Sequence, residues 1–139
     1  MVFGVFDLLH PGHINFLSQA KKLGDYLIVS VARDVNVGKL KGYKAKEGEK
    51  KRVNKIAKLK FVDKVVLGGT RDPWPHIKKI NPEVIALGYD QKPYLANSLK
   101  DLERELKKRK ITVKVVRLRG YMVRKFKSSK LRGRGKGEG

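Results

Sequence analysis

MVFGVFDLLHPGHINFLSQAKKLGDYLIVSVA, residues 1–32, contains the repeating unit from which the whole chain is built. Residues 2–6 form a short apolar run that reads as a strand. Over residues 13–23 the apolar side chains are Ile14, Phe16, Leu17, Ala20 and Leu23, the spacing of a helix with one buried stripe. Gly24 follows as its C-cap. Residues 26–32 (YLIVSVA) are a near-continuous β-branched run, as expected of a strand buried on both faces.

The same alternation continues outward. A basic, Gly-containing stretch covers 33–47 and reads as a connection. A helix is expected near 49–59, with Val53, Ile56, Ala57 and Leu59 apolar. Residues 62–67 read as a strand and 73–80 as a short helix with Pro73 in its first turn. Residues 84–87 read as a strand ending at Gly88, 97–109 as a helix striped by Leu99, Leu102 and Leu106, and 111–118 as a last strand. Strand and helix in alternation give an α/β fold: a five-stranded parallel sheet with helices on both faces. In such sheets ligands bind beyond the carboxyl ends of the strands. Function is therefore expected in the segments after each strand: 7–13, 33–34, 68–74, 88–91 and 119–129.

A chain of 139 residues suffices for one compact domain. With 40% hydrophobic residues it is not disordered throughout. Residues 1–131 are expected to form that domain. Residues 132–139 (RGRGKGEG) have no apolar side chain and read as a flexible basic tail. There is no cysteine, which removes disulfides, thiolate catalysis, zinc–thiolate sites and iron–sulfur clusters. No apolar run approaches the roughly 18 residues of a membrane span. No basic segment followed by an apolar one opens the chain. A cytoplasmic protein without a membrane partner is expected. Lys and Arg number 34 against 13 Asp and Glu, a net charge of +21. Such a field favours anionic partners, and it is equally the solvated surface of a heat-adapted protein.

His10 and His13 are two of three histidines, at a strand-to-helix junction. A helix starting near Pro11 would bring both imidazoles to its N-terminal end, where free N–H groups and a partial positive charge suit a phosphate chain. Imidazole N–H groups can also follow charge that develops on phosphate in a transition state. The other reading is a pair of capping or core histidines. Asp7 reads either as functional or as a helix cap. Trp74 reads as a packed anchor or as a platform for a flavin or base. His76 reads as a surface or capping residue.

Residues 4–13, GVFDLLHPGH, match the signature G-x-F-D-x-x-H-x-G-H, and the chain here resembles the cytidylyltransferase-like nucleotidyltransferases. These are Rossmann-like enzymes. Further similarity runs through VARD at 31–34, KLKGYK at 39–44, Arg52, VDKVVLG at 62–68, INPEVIALGYDQ at 80–91, VVRLRGY at 115–121 and KSSKL at 127–131. Within the family, LGYDQ, RLRGY and the Ser pair look most like the archaeal-type FAD synthases, which move AMP from ATP to FMN and release pyrophosphate. The glycerol-3-phosphate cytidylyltransferases carry R-T-x-G-I-S-T-T, whereas residues 122–129 here read MVRKFKSS, without the Arg-Thr and Gly. Lys50 and Lys51 stand where acidic residues are common.

The resemblance implies roles. His10, His13 and Lys44 would be catalytic, contacting the phosphates. Val5, Phe6, Gly12, Asp90, Arg119, Tyr121, Arg124, Ser128 and Ser129 would bind the nucleotide. Asp7 would sit by the acceptor phosphate or the metal. Mg²⁺ or another divalent ion would arrive with ATP or CTP, and a homodimer is a recurring state among relatives. Two alternatives stay open: a cytidylyltransferase for glycerol phosphate or another phospho-alcohol, and a nucleic-acid-binding module on this scaffold, for which aromatic residues interleaved with basic ones are sparse.

Overall fold

The computed structural model describes residues 1–69, 74–88 and 98–120. Ten elements follow one another: β1 (Val2–Gly4), α1 (Pro11–Lys21), β2 (Ile28–Val31), α2 (Asp34–Lys41), α3 (Glu49–Ala57), β3 (Lys64–Leu67), α4 (Trp74–Ile80), β4 (Val84–Leu87), α5 (Leu99–Lys108) and β5 (Lys114–Arg117). The strands form one sheet in the order β3-β2-β1-β4-β5, every neighbouring pair parallel.

Alternation along the strands divides the interior into two cores. Val2, Val29, Val31 and Ala86 point to one face, where they meet Leu17 and Ala20 of α1 and Ile56 of α3. Phe3, Ile85 and Leu87 point to the other, against Trp74 and Ile77 of α4 and Leu102 and Leu106 of α5. Apolar side chains on successive strand positions are what a sheet covered on both sides requires. The edge strands begin at exposed Lys64 and Lys114, charges that oppose edge-to-edge pairing.

The chain runs outward from β1 to β2 and β3, then returns to place β4 on the other side of β1. That reversal is the switch point, and the crevice beyond the ends of β1 and β4 is where a doubly wound sheet binds its ligand. Among the described residues no helix is long and apolar enough to cross a membrane.

Three expectations change. Residues 33–47 are not all connection, because eight of them form α2, which ends at Gly42 with φ 77°. Its apolar content is thin, and its N-cap, Arg33, makes no side-chain capping bond, so the sequence carries little helical signal. The first strand stops at Gly4 instead of continuing to Phe6, whose φ of 53° lies in the left-handed region. His76, read from sequence as a surface or capping residue, reaches a partner on the sheet. It is half-buried with Nε2 3.3 Å from Ser30 Oγ on β2, and burial pushes its pKa below the usual value. Trp74 is the packed anchor, buried in the second core with the Arg109 guanidinium 4.4 Å above its ring. The 131/132 boundary lies outside the described residues.

Candidate active site

The signature at 4–13 is a piece of steric engineering. After β1 the chain turns sharply, and the Phe6 ring folds back over Gly4. A Cβ on Gly4 would lie 2.7 Å from two atoms of that ring, so only glycine fits. Phe6 is buried and wedges between α1 side chains: its ring meets His13 edge-on at 5.5 Å and stacks on Phe16 at 6.3 Å. Leu8 is a second residue in the left-handed region, with φ 53°. Two such residues within three positions mark a backbone held in place by its surroundings.

His10 is the N-cap of α1. Its Nδ1 accepts the Gly12 N–H at 3.0 Å, and its own backbone N–H donates to His13 Nδ1 at 3.3 Å. This is a capping box built from two imidazoles. The two rings stack at 3.7 Å between centroids. A nitrogen that accepts cannot carry the proton, so in both rings the hydrogen-bond pattern assigns it to Nε2. Each ring thus caps the helix through Nδ1; His13 is buried beneath the turn, 6% exposed. No acidic residue stands in the first turn, so the positive end of the helix is not neutralised there. Gly12 is buried in this turn.

Asp7 does not cap the helix. Its carboxylate accepts Lys46 N–H at 2.8 Å and Glu47 N–H at 3.0 Å, and so pins the 42–48 loop beside β1. Lys44 is exposed on that loop, two residues before Lys46. Two residues of chain span at most about 7 Å, so Lys44 is tethered close to the turn that leads into His10.

Behind the loop lies Arg52 of α3, fully buried. Its guanidinium donates to four acceptors: the carbonyls of Glu47 at 3.0 Å, Val5 at 2.9 Å and Ala32 at 2.8 Å, and Asp34 Oδ1 at 2.6 Å. One planar fork thus ties the ends of β1 and β2 to the Lys44 loop. The Arg52 bond holds the Asp34 carboxyl below its ordinary pKa, helped by the Glu49 N–H. Val5, expected along the nucleotide, has its carbonyl on Arg52. Glu47, 5% exposed, accepts Leu8 N–H at 3.1 Å and is ion-paired with Lys55. The Lys55 bond, with Leu8 N–H and Lys51 adding to it, lowers its pKa.

Arg119 follows β5 with its backbone gripped by one side chain: its N–H donates to Gln19 Oε1 at 3.2 Å and its carbonyl accepts from Gln19 Nε2 at 2.9 Å. Gln19 lies on α1, so Arg119 is registered against the histidine helix. Asp90, Tyr121, Arg124, Ser128 and Ser129 lie outside the described residues. The structure thus gathers Val5, Phe6, Asp7 and His10 after β1, Gly12 and His13 in the first turn of α1, and Lys44 on the loop between α2 and α3. Glu47, Arg52 and Gln19 complete it, and none of these three had been assigned a role from sequence. The signal for Glu47 was present as the first acid after KLKGYKAK.

Comparison with known proteins bears on the family and the fold. The cytidylyltransferase-like family profile matches residues 1–134. A curated relative, the FAD synthase of Aciduliprofundum boonei, is 48% identical over 121 residues, covering 87% of this chain and 78% of its own. The FAD synthase of Archaeoglobus profundus is 48% identical over 118 residues, covering 84% and 71%. Among solved structures, a lipopolysaccharide core biosynthesis protein from Thermoplasma volcanium superposes with a TM-score of 0.80 at 41% identity, covering 87% of this chain and 95% of that one. With the signature, the parallel sheet and the histidine-capped helix in agreement, this chain belongs to the cytidylyltransferase-like family of nucleotidyltransferases.

Proposed function

We propose that this enzyme transfers AMP from ATP to FMN, giving FAD and pyrophosphate. An oxygen of the FMN phosphate attacks the α-phosphorus of ATP. The bond from that phosphorus to the bridging oxygen breaks, and the β- and γ-phosphates leave as pyrophosphate. The acceptor is itself the nucleophile, so the protein must align two polyanions and offset the charge that grows between them. The single observation that carries the reading is the double cap on α1. It sets two imidazoles at a helix N-terminus, an arrangement suited to a phosphate chain.

His10 and His13 act on the phosphates at the reacting centre, and Lys44 adds charge from the loop that Asp7 pins. Asp7 faces the acceptor side. Gly12, Phe6 and Val5 shape the backbone along the nucleotide. Arg119, together with Asp90, Tyr121, Arg124, Ser128 and Ser129, completes the nucleotide site. Among the described residues no group of three His, Cys, Asp or Glu could hold a metal ion. Mg²⁺ or a similar cation would arrive with the triphosphate and supply charge neutralisation there. The choice of FMN and ATP is supported by the archaeal FAD synthases that the chain resembles over most of its length. In this reading the +21 charge serves these small anions, residues 1–131 are the catalytic domain and residues 132–139 an appendage.

The test is pyrophosphate release from a panel of ATP or CTP with FMN or glycerol 3-phosphate. ATP with FMN is the expected pair. Release with CTP and glycerol phosphate alone would replace FMN adenylylation by the phospho-alcohol reading.

A further inference from the structure

Glu47 is the buried acid that the phosphate chemistry does not account for. Its side chain is 5% exposed, on the loop between α2 and α3. A buried carboxylate is unfavourable unless charges and hydrogen bonds replace its water. Here they do. Leu8 N–H donates to Oε1 at 3.1 Å, Lys55 is bonded to Oε2, and Lys51 Nζ lies 3.6 Å from the same oxygen. The backbone of Glu47 is used as well: its N–H donates to Asp7 and its carbonyl accepts from Arg52.

The bonds with residues 7 and 8 run in both directions. Asp7 holds the loop through its carboxylate, and the loop holds Leu8 through the Glu47 carboxylate. Leu8 is a residue in the left-handed region, two positions before the helix cap His10. The Lys44 loop and the turn that leads into the histidines are therefore one rigid piece, with Glu47 at the joint. Lys51 and Lys55 stand one and two helical turns beyond it on α3 and keep its charge compensated.

We propose that Glu47 is a positioning residue for phosphate binding: it fixes the Lys44 ammonium relative to the His10–His13 pair and touches no substrate. The inference rests on the assignment of Lys44 to the phosphates made above. A merely stabilising Glu47 would be lost with equal effect whether or not Lys44 is present. A positioning Glu47 has nothing left to position once Lys44 is gone.

A double-mutant cycle reads the difference. kcat/KM for ATP is measured in wild type, Glu47→Ala, Lys44→Ala and the double variant. Glu47→Ala should lower it about tenfold with Lys44 present and under about twofold in Lys44→Ala, a strong non-additivity for residues that share a network. The same factor in both backgrounds overturns the proposal. Glu47→Gln keeps an acceptor for Leu8 N–H but loses the negative charge that pairs with Lys51 and Lys55. It carries the same cycle if the alanine variant does not fold, with a smaller loss that must again vanish without Lys44. A wild type that releases no pyrophosphate from ATP and FMN refutes FMN adenylylation separately. The cycle is then read as ATP affinity by titration, with the same two outcomes deciding it, and a wild type that binds no ATP overturns both readings.

Discussion

Replacing His10 by alanine removes two things at once. The first is the cap: Nδ1 no longer accepts Gly12 N–H, a bond of 3.0 Å. Loss of an N-cap acceptor costs about 1 kcal/mol. For a domain of this size that lowers Tm by roughly 3–5 °C. The second is the donor that the proposed reaction assigns to His10, whose loss would cost about 2.7–4 kcal/mol of transition-state stabilisation, or roughly 100- to 1,000-fold in kcat. His10→Asn separates the two. Asparagine is among the best N-caps, because its side-chain oxygen accepts the same backbone N–H, but its shorter amide cannot place a donor where Nε2 stands. Thermal unfolding and pyrophosphate release are measured on both variants. His10→Ala should lose both stability and turnover. His10→Asn should recover Tm to within about 2 °C while kcat stays down by the same factor. If His10→Asn regains turnover, or His10→Ala keeps it while Tm falls, the imidazole is a cap and nothing more.

Arg52→Met should cost about 3–5 kcal/mol and lower Tm by roughly 10–20 °C, because the carbonyls of Val5, Ala32 and Glu47 lose their charged donor together; a Tm within a few degrees of wild type would show that water replaces it. Acid should destabilise the fold. Asp34, Glu47 and Asp63 are each held below their ordinary values by Arg52, Lys55 and Lys21. They bind protons more tightly in the unfolded chain, so their stabilisation is complete above the unfolded values of 3.8 to 4.5 and is lost as pH falls through the folded ones. His76, lowered from 6.5 by burial, shifts stability in the same direction as pH falls below that value. Tm that rises between pH 5 and pH 3 would contradict this. Salt should raise KM for ATP and FMN without unfolding the domain, as the screening length shrinks from about 10 Å at 0.1 M to about 3 Å at 1 M. Tight RNA binding with a steep salt slope would instead point to a nucleic-acid role. Removing residues 133–139, which contain no apolar side chain, should leave kcat and Tm unchanged; loss of either would make the tail part of the domain.

The sheet was legible because a parallel strand covered on both faces has no polar face to disguise it. Runs such as YLIVSVA and VIAL leave little choice, and four of the five helices among the described residues announce themselves by apolar spacing or caps. The missed helix, α2, is held by tertiary bonds that no local pattern records: Asn36 Nδ2 donates to Gly69 O, and Arg33 Nε to Gly68 O. Within the site, the histidines and Asp7 were legible because they sit beside a strand end and a glycine. That Asp7 pins a loop, and that Arg52 and Glu47 organise it, follows from residues about 40 positions apart in sequence meeting in space. Helical periodicity placed Arg52 on α3 but could not say that its buried side chain would read three carbonyls. His76 escaped for the same reason: its partner, Ser30, lies 46 residues away on β2.

Pyrophosphate release by the purified chain with ATP, Mg²⁺ and FMN, followed with simultaneous detection of FAD, tests the central claim most directly. FAD and pyrophosphate should form in equal amounts, with release reduced roughly 100- to 1,000-fold in His13→Ala. Undiminished FAD formation by His13→Ala, or ATP consumption with no FAD formed, would contradict it.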